Sequence, residues 1–209
     1  MKIEIWSDIM CPFCYIGKRQ LETALAVFPN DEFEIEWKSF QLDPIITSQP
    51  DMDVYMFLAE RKGMSIEQSK EMHKGVAERA KSVGLDYNFD KAVISNSLNA
   101  HRIIQLAKTK NIGDRMEEIF FKAYFTDGED LNNGQTLIKL GMQAGLEENE
   151  IREVLESEDL FVKEVHSDIK EAAEIGVQGV PFFVFDRKYA VSGAQPIETF
   201  VKTIQEVLK

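Results

Sequence analysis

Cys11 and Cys14 are the two cysteines of the chain, and they stand in one tetrapeptide, Cys11-Pro12-Phe13-Cys14. Thiols at this spacing can close a small disulfide and open it again by exchange: a thiolate attacks a disulfide sulfur, and the neighbouring thiol then displaces it. The competing chemistry of a CxxC is half of a four-ligand zinc site. That reading lacks its other half, because there is no further cysteine and His73, His101 and His166 are too widely spaced for a His-x(3–5)-His pair. Nor can two cysteines in one motif supply the scattered disulfide framework of a small secreted domain.

Exchange needs a nucleophilic thiolate, and a helix N-terminus favours one through its unpaired N–H groups and the positive end of its dipole. The neighbouring pattern supplies that setting. Lys2 to Ser7 reads as a short strand carrying Ile3 and Ile5, and Leu21, Ala24, Leu25 and Phe28 follow at helical spacing, ending near Pro29-Asn30. The motif therefore falls where a strand turns into a helix. Pro12 suits a first helical turn, where its missing N–H costs little. Cys11 is expected to attack and Cys14, one turn further on, to resolve.

Between Glu32 and Phe40, Phe33, Ile35 and Trp37 alternate with charged residues, as in a strand with one buried face. This completes a β-α-β opening. From about Asp51 to Gly176 the apolar residues recur at helical spacing, as in Ala100, Ile103, Ile104, Ala107 or Met116, Ile119, Phe120, Ala123, with glycines punctuating the segments. Phe120, Tyr124 and Phe125 read as helical core. Beyond Gly176, Pro181 to Phe185 and Tyr189 to Ser192 read as strands joined by a turn at Asp186-Arg187, and a last amphipathic helix follows Pro196. The order predicts an α/β fold with an N-terminal β-α-β part over 1–48, an inserted all-helical segment over 49–175, and a C-terminal β-β-α part over 176–209.

The chain has 209 residues, 44% hydrophobic and 29% charged, with a formal net charge of −12. Such acidity offers no basic stripe for phosphates, which argues against nucleic acid and anionic lipid as partners. No apolar run approaches 18 residues, and the N-terminus lacks the apolar stretch of a secretory signal. The expectation is a cytoplasmic protein without a membrane partner.

Taken together, CPFC, QGVPFFVF, KYAVSGAQP and the interior segments NSLNAHRIIQLA and AYFTDGEDL resemble the DsbA family, in particular its FrnE-like branch. The resemblance implies a thioredoxin-like fold with a helical insertion between its halves. It implies protein or peptide thiols and disulfides as partners; glutathione is a further candidate, and the chain is expected as a monomer or a homodimer. It implies no metal and no organic cofactor beyond a redox-active Cys11–Cys14 disulfide. Carried onto this chain, the family's cis-proline falls on Pro181, beside the cysteines, and the Val180 backbone is then expected to pair with an extended substrate. Unlike DsbA, this chain has Pro12-Phe13 and no histidine between its cysteines, so a comparably strong oxidant is not expected.

Further candidates surround the motif. Pro12, Phe13 and Met10 are expected to form an apolar collar for substrate, with Tyr15 either in the collar or in the core. His101 is a candidate substrate contact, because the resemblance places its helix beside the active-site groove; the plainer reading is a packed or surface histidine. A buried strand acid assists proton transfer in several relatives, yet Glu4, Asp8 and Glu36 fall on no matching position and are expected to be solvated. Phe40, Gln41 and Gln195 stand at strand ends near the motif. Trp6, just before the turn, is expected to sense reduction of the pair.

Two other functions fit the same order of elements. One is a glutathione-dependent isomerase or transferase of the kappa or 2-hydroxychromene-2-carboxylate isomerase type; such relatives usually carry serine at the position of Cys11 and lack the second cysteine. The other is a non-catalytic auxiliary protein of a secondary-metabolite pathway.

Overall fold

The computed structural model describes residues 1–49 and 51–209. Strand β1 (Lys2–Ser7) leads into helix α1 (Pro12–Leu25) and strand β2 (Glu34–Ser39). A helical segment follows: α2 (Val54–Lys62), α3 (Ile66–Ser82), α4 (Leu98–Thr109), α5 (Gly113–Lys122), α6 (Gly134–Ala144), α7 (Glu148–Glu156) and α8 (Val162–Glu174). Strands β3 (Phe182–Phe185) and β4 (Tyr189–Ser192) and helix α9 (Ile197–Val207) close the chain.

The strands form one mixed sheet in the order β2-β1-β3-β4, parallel between β1 and β2 and antiparallel across β1–β3 and β3–β4. Alternation along β1 sorts its side chains between two faces. Ile3 and Ile5 join Ile16 and Leu21 of α1, Phe183 of β3, and Phe200 and Ile204 of α9 in the main core. Trp6 points to the other face, where it packs with Ala172 of α8, Val177 and Val184. The β3–β4 turn uses left-handed backbone at Asp186 and Arg187, which an aspartate tolerates better than most residues.

The main core does not stop at the sheet. It runs on through Ile103 and Ile104 of α4, Phe120 and Phe121 of α5, Leu137 of α6 and Ile151 of α7. The β-α-β and β-β-α halves and the helical segment between them thus have the order read from the sequence. Helix α3 is an addition to that reading. Its apolar periodicity is weak, but Ser65 and Gln68 form a reciprocal capping box at its start, a signal present in the sequence. Helix α5 runs on into a π-helical turn over Ala123–Asp127 that ends at Gly128 in left-handed conformation. Among the described residues no helix is long and apolar enough to cross a membrane.

Candidate active site

The turn between β1 and α1 is held from below by Asp8. Its Oδ1 accepts from the Met10 amide at 3.1 Å, its Oδ2 from the Leu42 amide at 2.8 Å, and its backbone oxygen from the Cys11 amide at 2.9 Å. Cys11 then takes the N-cap position with extended backbone, and Pro12 opens the helix. The Cys14 amide donates to the Cys11 oxygen at 3.0 Å, so the second thiol lies in the first helical turn.

The two thiols are both buried, in unequal surroundings. Cys11 keeps 4% of its surface exposed and Cys14 only 1%. Burial pushes the Cys14 thiol well above its ordinary range; the adjacent Cys11 sulfur adds to this, while the Asp8 backbone and the Ser7 hydroxyl oppose it. The Cys11 thiol donates to the Val180 carbonyl at 3.4 Å. The Val180–Pro181 peptide is cis, the isomer the resemblance implied at this position. Gly17 lets α1 lie directly on that loop: a Cβ there would meet Pro181 Cγ and Phe183 Cζ, each at 3.0 Å.

Of the proposed collar, Met10, Pro12 and Phe13 are partly exposed, and the Arg79 guanidinium of α3 lies 5.5 Å from the Phe13 ring centre. Tyr15 belongs to the core instead. It stacks on Phe121 with ring centres 5.0 Å apart and donates to Glu118 at 2.7 Å. Val180 is half-buried beside Cys11. Phe40 packs near Trp6 on the opposite face of the sheet, Gln41 hydrogen-bonds Ser97 at 3.4 Å, and Gln195 bonds locally to the Ser192 carbonyl at 2.8 Å.

The structure corrects three expectations. His101 is fully buried, and its Nε2 lies 3.5 Å from Asp8 Oδ1; the ring sits under the turn, so contact with a substrate is closed to it here. Asp8 is not a solvated carboxylate but a buried brace, which a local pattern of polar residues does not reveal. Glu4 is also buried, between Arg187 of the β3–β4 turn and Lys38 of β2, partners more than 30 residues away in sequence. Glu36 keeps partial exposure and pairs with Lys2 at 2.6 Å and Lys38 at 3.1 Å. Trp6 donates to the Asp168 backbone oxygen at 2.9 Å and belongs to the cluster on the far face of the sheet, against which Val180 also packs.

Several residues near the motif carried no signal of their own in the sequence. Tyr87 donates to the Pro12 carbonyl at 2.7 Å, tying the segment before the 3-10 turn Phe89–Lys91 to the CPFC helix. Burial, and then the nearby Cys11 and Cys14, push its phenol far up. Glu117 of α5 is fully buried with one oxygen unpartnered among the described residues; burial first, then Asp114, raise its carboxyl to about 8. Among the described residues no group of three or more His, Cys, Asp or Glu side chains is arranged to hold a metal ion.

Beside the motif, Met10, Pro12 and Phe13 form one wall of a cavity of about 670 Å³, whose other walls come from the Leu42–Ile46 loop, α2, α3 and the Phe89–Ser97 stretch. That volume lies within the range of small-molecule pockets, about 300–1,000 Å³.

Known proteins share this geometry. The sequence profile of the DSBA-like thioredoxin domain matches residues 2–205. The structure of the probable DsbA oxidoreductase SCO1869 from Streptomyces coelicolor superposes with a TM-score of 0.93 at 38% identity, covering 100% of this chain and 90% of that one. The cytosolic disulfide reductase DsbM from Pseudomonas aeruginosa, also solved with GSH, superposes at 0.69 with 14% identity over 100% and 98% of the two chains. A 2-hydroxychromene-2-carboxylate isomerase superposes at 0.72 with 15% identity, over 100% and 96%. The last two likenesses concern the fold.

Proposed function

The chain belongs to the DSBA-like thioredoxin domain family, and from that premise we propose that it catalyses thiol-disulfide exchange on protein or peptide substrates through Cys11 and Cys14. The observation that carries this reading is the asymmetry of the pair: Cys11 at a helix N-terminus facing Val180, and Cys14 buried behind it with its proton held tightly.

In reduction, the Cys11 thiolate attacks one sulfur of a substrate disulfide, forms a mixed disulfide and expels the other substrate sulfur as thiolate. Cys14 then loses its proton and attacks the Cys11 sulfur. The Cys11–Cys14 disulfide closes, the second substrate thiol leaves, and two electrons have passed from the protein to the substrate. A dithiol or two molecules of a monothiol such as glutathione restores the pair, and oxidation is the same sequence reversed. Burial of Cys14 favours its waiting role, because a thiol held protonated does not compete for the incoming disulfide. Pro12 and Phe13 line the approach, and Pro181 and Val180 form the opposing wall, where the Val180 backbone is suited to hold an extended peptide.

In a compartment kept reducing, such as the cytoplasm, net flow is towards substrate reduction or isomerisation. The test is insulin reduction with dithiothreitol as the electron source. Wild-type protein is expected to accelerate precipitation of the insulin B chain, and Cys11→Ser to fall to the uncatalysed rate. Equal rates with and without the wild-type protein would defeat the reading.

A further inference from the structure

The cavity beside CPFC is more than an extension of a peptide groove. Its wall is mostly apolar, with Phe57, Val76 and Phe89 among its residues, and the polar side chains that reach it are nearly all engaged. Asp8 spends both oxygens on backbone amides. Asp43 is paired with Arg61. Ser95 donates to Asp130 at 2.7 Å, and His73 Nδ1 lies 2.8 Å from the Ser69 carbonyl. A polypeptide entering here would bring backbone donors and acceptors with few partners to meet them, and a buried backbone group left unmet is destabilising. A compact apolar body brings no such debt.

Charge sets the other end of the ligand. With Asp43 and Arg61 neutralising one another and Asp8 enclosed, Lys62 lines the cavity from the exposed last turn of α2 and makes no ion pair among the described residues. In a chain of net charge −12, Lys62 supplies an exposed cation on the cavity wall. The buried side also holds an unengaged group: Tyr124 lines the cavity, is 6% exposed, and its hydroxyl makes no hydrogen bond among the described residues.

We propose that this cavity is a binding site for a small aromatic anion, with its ring system enclosed beside Phe13 and its charge at Lys62. The site adds a substrate class to the thiol chemistry proposed above, and rests on that reading only in setting the ligand next to Cys11. A thiol or disulfide carried on such a ring system would be the favoured small substrate.

The experiment uses two fluorescent probes of the same aromatic framework, anionic 1-anilinonaphthalene-8-sulfonate and neutral N-phenyl-1-naphthylamine, titrated into the full-length protein and its Cys11→Ser/Cys14→Ser form. Both are expected to bind one per chain and to compete with each other in both proteins. Ala92→Trp, which fills the cavity, is expected to weaken both at least tenfold, with far-UV circular dichroism verifying the fold. Lys62→Glu, at an exposed position, is expected to weaken the anionic probe at least fivefold at low salt and the neutral one less than twofold. Absence of one-to-one binding overturns the proposal, as does binding indifferent to Ala92→Trp in a folded protein or a Lys62→Glu effect equal for both probes. Because the double-serine form cannot exchange thiols, probe binding without insulin reduction overturns only the redox reading, and insulin reduction without probe binding only the pocket.

Discussion

At the scale of single residues, burial decides what each titratable group does. Cys14 and Glu117 both lie out of water, and in both the neutral form is favoured. For Glu117 this has a consequence for stability. Its carboxyl, raised to about 8 in the folded protein, keeps its proton across a pH range in which the unfolded chain, ionising near its ordinary value of about 4.3, has lost it. The folded state holds the extra proton, so stability falls as pH rises from about 4.3 to 8 and levels beyond. Glu117→Gln keeps the shape and removes the charge. It is expected to be more stable than the wild type at pH 8 by about 4–5 kcal/mol, at about 1.4 kcal/mol per pH unit across the window, with the gap closing towards pH 4.5. Denaturant unfolding at the two pH values measures this; an equal gap at both would show that Glu117 does not titrate in this window. Asp8 acts differently, through two amides and the turn it braces, and Asp8→Asn is expected to lower the unfolding midpoint, since the amide nitrogen cannot accept in place of an oxygen.

At the scale of elements, the contact between α1 and the Val180–Pro181 loop fixes how the reactive thiol meets its opposing wall. Gly17 permits that contact, with Pro181 and the buried Phe183 ring at the distance where a methyl group would stand. Alanine in a helix interior gains about 1 kcal/mol over glycine, but overpacking costs about 1–3 kcal/mol, and a proline ring and an enclosed phenylalanine yield little. Gly17→Ala is therefore expected to lose about 1 kcal/mol, a fall in Tm of about 2–4 °C for a chain of this size, together with a slower insulin reduction. A rise in Tm would mean the loop gives way easily. The strands and CPFC turn were legible in the sequence because short-range patterns encode them: alternation in β1 and β2, proline after Cys11, and the run from Phe182 to Phe185. The brace at Asp8, the Tyr87 contact with Pro12 and the burial of His101 were not, because each depends on residues 34 to 93 positions apart being brought together by the fold. Helix α3 was hidden for another reason, its charge-rich face masking a capping box at Ser65 and Gln68.

At the scale of the molecule, one continuous core joins the sheet to the helical segment, from Ile3 and Phe183 through Phe121 to Leu137 and Ile151. The helical segment thus lacks a core separable from the rest, and the chain is expected to unfold as a unit. Far-UV circular dichroism, dominated by the helices, and the fluorescence of Trp6 and Trp37, anchored to Asp168 and Asp114 respectively, should report the same denaturant midpoint. Separate midpoints would mean that the insertion melts on its own. The same continuity places the cavity wall, built from α2 and α3, against the helix that carries Cys11.

The central claim is that Cys11 attacks and Cys14 resolves, and intact-mass spectrometry of the two single-serine variants tests it most directly. Mixed with an excess of a disulfide-linked peptide, reduced Cys14→Ser is expected to accumulate a mixed disulfide with one peptide half on Cys11, which the missing resolver cannot release. Cys11→Ser is expected to remain unmodified over the same interval, its remaining thiol buried and protonated. A stable adduct on Cys14 in Cys11→Ser, or none on Cys11 in Cys14→Ser, would contradict the account.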